Sequence, residues 1–221
     1  MSRKLVVNSF LTLDGVMQAP GGPEEDPTGG FTHGGWSANY WDDTLGQWIG
    51  PYMARPADLL LGRRTYEIFA AHWPHISDDP MADRLNQARK YVASTTLDEV
   101  EWNNSTLLRG YVAEAVAALK EEDGPEIQVH GSGNLNQTLL RHDLVDEFRL
   151  MIFPLVLGSG KRLFADGTIA AGLKVVDSMM TGNGVLAAVY ERAGAIDYGS
   201  FALDEPTEAE VARREKLARE G

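Results

Sequence analysis

Two short stretches carry residue types suited to capturing a phosphate. In Leu61-Gly62-Arg63-Arg64-Thr65 an apolar run ends and a helical pattern begins. The glycine permits a tight turn, the new helix offers free N–H groups, Thr65 adds a hydroxyl, and two guanidiniums can clamp phosphate oxygens. Arginine at a helix start opposes the helix dipole, so a doubled arginine there favours an anion site over an ordinary solvated start. A second strand-to-helix junction, His130-Gly131-Ser132-Gly133-Asn134-Leu135, repeats the idea. Its glycines let a pyrophosphate approach the backbone, and Ser132 or Asn134 can cap the helix. A full Rossmann fingerprint is not present, because the position near Gln137 that calls for a third glycine has none. At a third junction, Ala93-Ser94-Thr95-Thr96, three hydroxyls stand where an adenosine phosphate could be held, although such a run is equally an ordinary turn.

Other chemistries find less support. The chain has no cysteine, which removes disulfides, thiolate nucleophiles and cysteine zinc sites together. Its five histidines, His33, His72, His75, His130 and His142, lack metal-ligand spacing, so no metal is expected. No Gly-x-Ser-x-Gly elbow supports a hydrolase triad.

These junctions need strands and helices to hold them. Lys4 to Leu13 reads as a strand closed by the Asp14-Gly15 turn. The Gly/Pro-rich stretch from residue 16 to 38 supports no regular element, and a loop of that length inside a domain points to a functional role. With Phe31 and Trp36 it is a candidate lid. Helical spacing follows in Asn39 to Ala54, weakened or ended by Pro51. Strands are then expected at Asp58–Gly62, Lys90–Ser94, Ser105–Arg109, Glu126–His130 and Glu147–Leu157. Helices are expected at Arg63–Trp73, Tyr111–Glu122 and Ser132–Arg141. Leu173–Thr181 and Gly184–Arg192, separated by Gly182-Asn183, read as a terminal hairpin. The pattern predicts an α/β sandwich with a mostly parallel sheet, helices on both faces and a closing antiparallel pair. It assigns residues 1–193 to one domain and 194–221 to an extension that is either a helical arm or disordered.

The formal net charge of −12 discourages nucleic acid and anionic membranes as partners. No span of about twenty apolar residues occurs, so a cytoplasmic protein is expected. The charge is uneven: Leu5 to Ala54 has no Lys or Arg, yet holds Asp14, Glu24, Glu25, Asp26, Asp42 and Asp43. Glu24 to Asp26 read as a solvated acidic loop, or as the lining of a pocket for a neutral or cationic ligand.

Taken with Ser9-Phe-Leu-Thr-Leu-Asp14-Gly15 and Phe153-Pro154-Leu-Val-Leu-Gly158-Ser-Gly160-Lys-Arg-Leu-Phe164, the junctions resemble the dihydrofolate-reductase-like superfamily. The closer likeness is to the reductase domain of bacterial riboflavin biosynthesis, over roughly Lys4 to Arg192. The resemblance implies an eight-stranded sheet that binds NADPH and a hydride passed to a C=N or C=O of a pterin-like or pyrimidine heterocycle. It implies a phosphate clamp at Gly62, Arg63, Arg64 and Thr65, and an adenosine-phosphate segment at Ser94 and Thr95. Gly131, Ser132, Gly133, Asn134 and Leu135 resemble its pyrophosphate loop. Substrate contacts are implied at Gly15, Trp36 and Gly158, and a proton supply at Asp14 or Asp43. A homodimer is expected. Departures from the family are a first segment with no cation for a phosphorylated substrate, leaving Lys161 and Arg162, and no deaminase motif. The sequence therefore reads as a stand-alone NADPH-dependent reductase of a neutral or cationic heterocycle. The alternative is a non-catalytic nucleotide-binding module on the same fold.

Overall fold

Strand β1 (Leu5–Thr12) is buried along almost its whole length, which is why it reads as a nearly continuous apolar run. The computed structural model, which describes residues 2–220, sets it near the middle of an eight-stranded sheet. Its neighbours are β5 (Glu126–His130) and β6 (Glu147–Phe153), both parallel to it. Beyond β5 lie β2 (Ala57–Gly62), β3 (Lys90–Ala93) and β4 (Ser105–Leu108), also parallel. Beyond β6 the sheet turns antiparallel through β8 (Leu186–Gly194) and β7 (Gly172–Met180), giving the order β4-β3-β2-β5-β1-β6-β8-β7.

Alternation along the strands divides the core between two faces. Leu5, Val7 and Leu11 of β1 pack with Leu60, Ile127, Val129 and Phe148 beneath α4 (Val112–Glu121) and α5 (Gly133–Arg141). On the other face, Leu59, Leu61 and Val92 meet α2 (Arg63–His72) and α3 (Pro80–Gln87). Further along that face, Phe10, Met151 and Phe153 meet α1 (Asp43–Met53). Helices thus cover both faces, and a gap on the second one separates α1 from α2.

Several boundaries differ from expectation for local reasons. Asp42 caps α1 through its side chain on the Leu45 N–H at 2.8 Å, so the helix begins at Asp43, and Ala38–Tyr40 form a separate 3-10 turn. Pro51 lies inside the last turn instead of ending the helix. Helix α3 follows an Asp79 cap and Pro80 at its first position, start signals that the apolar spacing alone does not reveal. β6 stops at Phe153, before Pro154. The terminal hairpin turns through Thr181 to Val185, closed by the Thr181 N–H on the Val185 carbonyl at 3.0 Å. Helix α6 (Glu208–Glu220) has no buried residue and ties Glu210 to Arg213 and Arg214.

Candidate functional site

The carboxyl ends of β2, β3 and β5 open into one cavity of about 1460 Å³ that fills the gap between α1 and α2. Helix α1 presents Gly46, Ile49, Gly50 and Met53 to it, a stripe at helical spacing. Nothing lies within 4 Å of where a Cβ on Gly46 or Gly50 would stand, so this wall is flat. Phe10, Trp41 and Met151 continue the apolar end.

At the other end the two phosphate-type junctions are laced together by Ser132. The Gly62 N–H donates to the Ser132 hydroxyl at 2.9 Å, and that hydroxyl donates to the His130 carbonyl at 2.8 Å. The Ser132 N–H donates to the Thr65 hydroxyl at 2.9 Å. Neither Ser132 nor Asn134 caps α5, correcting that expectation: Ser132 sits in the left-handed region at φ 61° with its hydroxyl already committed. The first N–H groups of α5, on Gly133, Asn134 and Leu135, have no intrahelical acceptor, and all three residues line the cavity end. Glycine is required at 131, where φ is +52° and a Cβ would stand 2.9 Å from Thr65 Oγ1. Arg63 and Arg64 open α2 beside this end, and Ser94 and Thr95 border it just past the end of β3. All eleven residues expected to hold a cofactor line this one cavity.

Of the acidic loop, Glu24 is exposed as a solvated residue, while Glu25 and Asp26 line the cavity. Asp26 pairs with Lys161 and stands 3.7 Å from Arg64, which also donates to Thr28 at 2.5 Å. Burial pushes the Asp26 carboxyl up, but Lys161 and Thr28 outweigh it and hold it below its ordinary value. Glu25 accepts from the N–H groups of Gly21 and Gly22, and burial raises its carboxyl. Gln18 fixes the loop by donating to the Asp26 and Thr28 carbonyls, both at 2.9 Å.

The two aspartates expected to supply a proton lie elsewhere. Asp14 accepts from the Thr12 hydroxyl at 2.5 Å and from the N–H groups of Leu157 and Gly158 at 3.2 and 2.8 Å. The Thr12 bond above all, opposed by desolvation, draws its carboxyl down to about 2, so it pins a turn and holds no proton near neutrality. Asp43 is exposed at the first position of α1. Gly15, Trp36 and Gly158 all lie outside the cavity lining, Gly158 in the turn that Asp14 holds and Gly15 bonded to the Thr12 carbonyl. The Trp36 indole donates to the Gln18 carbonyl at 2.8 Å and its ring packs on Phe153. Of the expected lid aromatics, Phe31 lines the cavity.

A buried polar row runs across the sheet on the α1 side, reaching the cavity at Asn8 and His130. Arg149, 1% exposed, holds Glu126 with two bonds of 2.7 and 2.9 Å and Glu147 at 2.7 Å. Gln128 donates to Glu126 at 2.6 Å, so its carbonyl oxygen faces His130 Nε2 at 3.1 Å and that nitrogen donates. Burial, then the Arg149 charge, pushes the His130 imidazole down to about 4, leaving it neutral. Asn8, Phe10 and Ile49 were not among the residues singled out from sequence; an asparagine amid the apolar run of β1 is the one local signal that marked this row. Among the described residues, no three His, Asp or Glu side chains gather as a metal site.

Sheet order, paired helix N-termini and cavity define an α/β protein of the dihydrofolate-reductase-like class. The chain belongs to the RibD C-terminal domain family, whose model matches residues 3–187. It is 29% identical over 201 residues to the uncharacterized protein YyaP of Bacillus subtilis (strain 168), covering 87% of this chain and 96% of that one. Its fold is similar to a pyrimidine reductase-like protein of Corynebacterium diphtheriae, with TM-score 0.57, 12% identity, and 86% and 92% of the two chains covered. It is also similar to dihydrofolate reductase from Enterococcus faecalis complexed with NADP(H), with TM-score 0.53, 14% identity, and 87% and 99% covered. The family and these neighbours make the chain a riboflavin-pathway-type reductase fold.

Proposed function

We propose that the protein is an NADPH-dependent reductase that delivers hydride to a C=N or C=O carbon of a small planar heterocycle. The observation that carries this reading is the convergence, through Ser132, of two helix N-termini and two arginines on one end of a cavity whose other end is apolar and flat. The glycine at 131, where a Cβ would strike Thr65, fits a cradle for a pyrophosphate. Arg63, Arg64, Ser94 and Thr95 would hold the adenosine phosphate, and Gly131 to Leu135 the pyrophosphate. When bound, the cofactor supplies the hydride. The protein's part is to orient the rings between Phe10 and the Gly46/Gly50 wall, and to exclude water there. One proton from solvent completes the product heteroatom, since the lining carboxylates are engaged, Asp26 with Lys161 and Glu25 with backbone N–H groups.

Trp41 and Trp73 line the cavity and report on it. Their fluorescence should change on titration with NADPH, more steeply than with NADH, and NADPH absorbance should fall with a heterocyclic acceptor present. Silence toward both nucleotides would remove the proposal. Engagement of every carboxylate favours one second reading, a nucleotide-binding module without turnover. Binding with no NADPH oxidation across pterins, pyrimidines and flavin precursors would select it. The exposed Val175, Val176 and Met180 of edge strand β7 support a homodimer through the terminal hairpin. No helix among the described residues is long and apolar enough to cross a membrane.

A further inference from the structure

Asn8 stands in the centre of the sheet, 5% exposed, and lines the cavity. Neither its amide nitrogen nor its carbonyl oxygen has a hydrogen-bond partner among the described residues. Asparagine is a poor strand former, and a buried carboxamide with both ends unpaired destabilises a fold. Its register neighbours are His130 on β5 and Arg149 on β6. Both carry groups that could satisfy it, yet neither bonds to it. Arg149 spends its guanidinium on Glu126 and Glu147, while His130 Nε2 is turned to Gln128. The hydrogen bonds around Asn8 thus bypass it, and leave donor and acceptor of one planar group unpaired in a residue that lines the cavity.

We propose that the Asn8 carboxamide is a specificity-determining residue that reads a lactam edge of the substrate, an adjacent ring N–H and C=O. Donor and acceptor side by side on Asn8 match such an edge with two hydrogen bonds. The neighbouring imidazole is neutral, and the Arg149 cation on the other side is already paired with the Glu126 and Glu147 carboxylates. Phe10 and Met151, next on the same face, and the glycine wall of α1 leave room for the flat ring that bears the edge. This inference rests on the reductase reading for the word substrate, but its recognition chemistry is measurable apart from turnover. The carboxamide of a nicotinamide presents the same pair of groups, and the experiment separates the two sources.

The probes are quinazolin-4(3H)-one, its 3-methyl derivative, in which the ring N–H is blocked, and 4-aminoquinazoline. Each is titrated by tryptophan fluorescence into the wild-type chain, Asn8→Leu and Asn8→Asp, with and without NADPH, and NADPH is titrated into all three. The wild type should bind the lactam about tenfold or more tighter than its methyl derivative, the size of discrimination that a desolvated hydrogen-bonding site gives. In Asn8→Leu that preference should vanish. Asn8→Asp, nearly identical in size and acceptor-only when ionised, should turn the preference toward 4-aminoquinazoline, and it decides the matter alone if the leucine variant does not fold. NADPH affinity should stay within about twofold throughout. Equal binding of the two quinazolinones by the wild type would overturn the inference, as would discrimination that survives both substitutions. A tenfold loss of NADPH affinity in the variants, with lactam discrimination intact, would assign Asn8 to the cofactor instead. If the wild type ignores NADPH, the reductase reading fails, while the quinazolinone pair still decides whether Asn8 reads a lactam.

Discussion

Substituting Gly133 and Gly131 separately by alanine should split binding from folding, although the two glycines are only two residues apart. At Gly133 the added methyl would meet Lys161 Cβ and Met17 Sδ at 3.9 Å, ordinary contacts, with the backbone already helical. Losing glycine's freedom in the unfolded chain should then leave Gly133→Ala as stable as the wild type or better by about 0.4–1 kcal/mol. Both contact residues line the cavity, so the methyl stands in the space before the free N–H groups of α5, and NADPH affinity should fall by about tenfold or more. Gly131→Ala differs in kind. A left-handed alanine costs about 1–2 kcal/mol, and pushing Thr65 aside removes the bond it accepts from Ser132, worth about 1 kcal/mol. A loss of about 2–3 kcal/mol in a domain of this size lowers Tm by about 4–12 °C. Differential scanning fluorimetry and NADPH titration on both variants give the answer. A Gly133→Ala chain that binds NADPH like the wild type, or melts as low as Gly131→Ala, would refute the cradle.

Three further outcomes follow from the same geometry. Arg63→Glu with Arg64→Glu should weaken NADPH far more than NADH, and equal losses by titration would show that the arginines do not read the 2′-phosphate. Asp14→Asn should leave hydride transfer within about twofold, because that carboxylate is held outside the cavity by hydrogen bonds and by Arg162 at 3.5 Å. Its folded value of about 2 lies below the unfolded one, so the stability it contributes near neutrality is lost as pH falls from about 4 toward 2. Denaturation curves should therefore separate Asp14→Asn from the wild type at pH 7 and bring them together near pH 2. His130 works in a higher window: with its folded value about 4 and an unfolded value near 6.5, the unfolded chain takes up the proton first. Stability should decline as pH drops through that interval, and His130→Gln should flatten the decline; an unchanged slope would place the titrating group elsewhere.

The half of the site proposed to hold phosphate could be singled out in the sequence because it is local. A glycine turn, a helix start and an arginine pair are neighbours in sequence, so Gly62 to Thr65 and Gly131 to Leu135 announce themselves before any packing is known. The substrate half depends on which strands lie side by side and which faces they show. Asp14, with a polar strand end behind it, reads as an acid in the chain but is consumed by N–H groups from residues 157 and 158. Asp43 reads as a first-helix acid but is displaced outward once Asp42 takes the cap. Asn8 becomes visible only when β5 and β6 flank β1 and turn their polar groups toward one another. The fold class, by contrast, follows from alternating apolar runs and amphipathic segments, while the start of α1, the whole of α3 and the end of β6 at Phe153 escaped that reading.

The Asp26 carboxylate, seated between Lys161 and Arg64, changes what ionic strength does to this site. A phosphate arriving at bare cations releases loosely held counterions, and its affinity falls steeply with added salt. Here the counterion is tethered and part of the chain, so a phosphate held as proposed would trade places with it. Added salt screens the departing and the arriving anion together. Anion capture by this protein should therefore show a shallow salt dependence, and Asp26→Asn should steepen it, raising affinity most in dilute buffer.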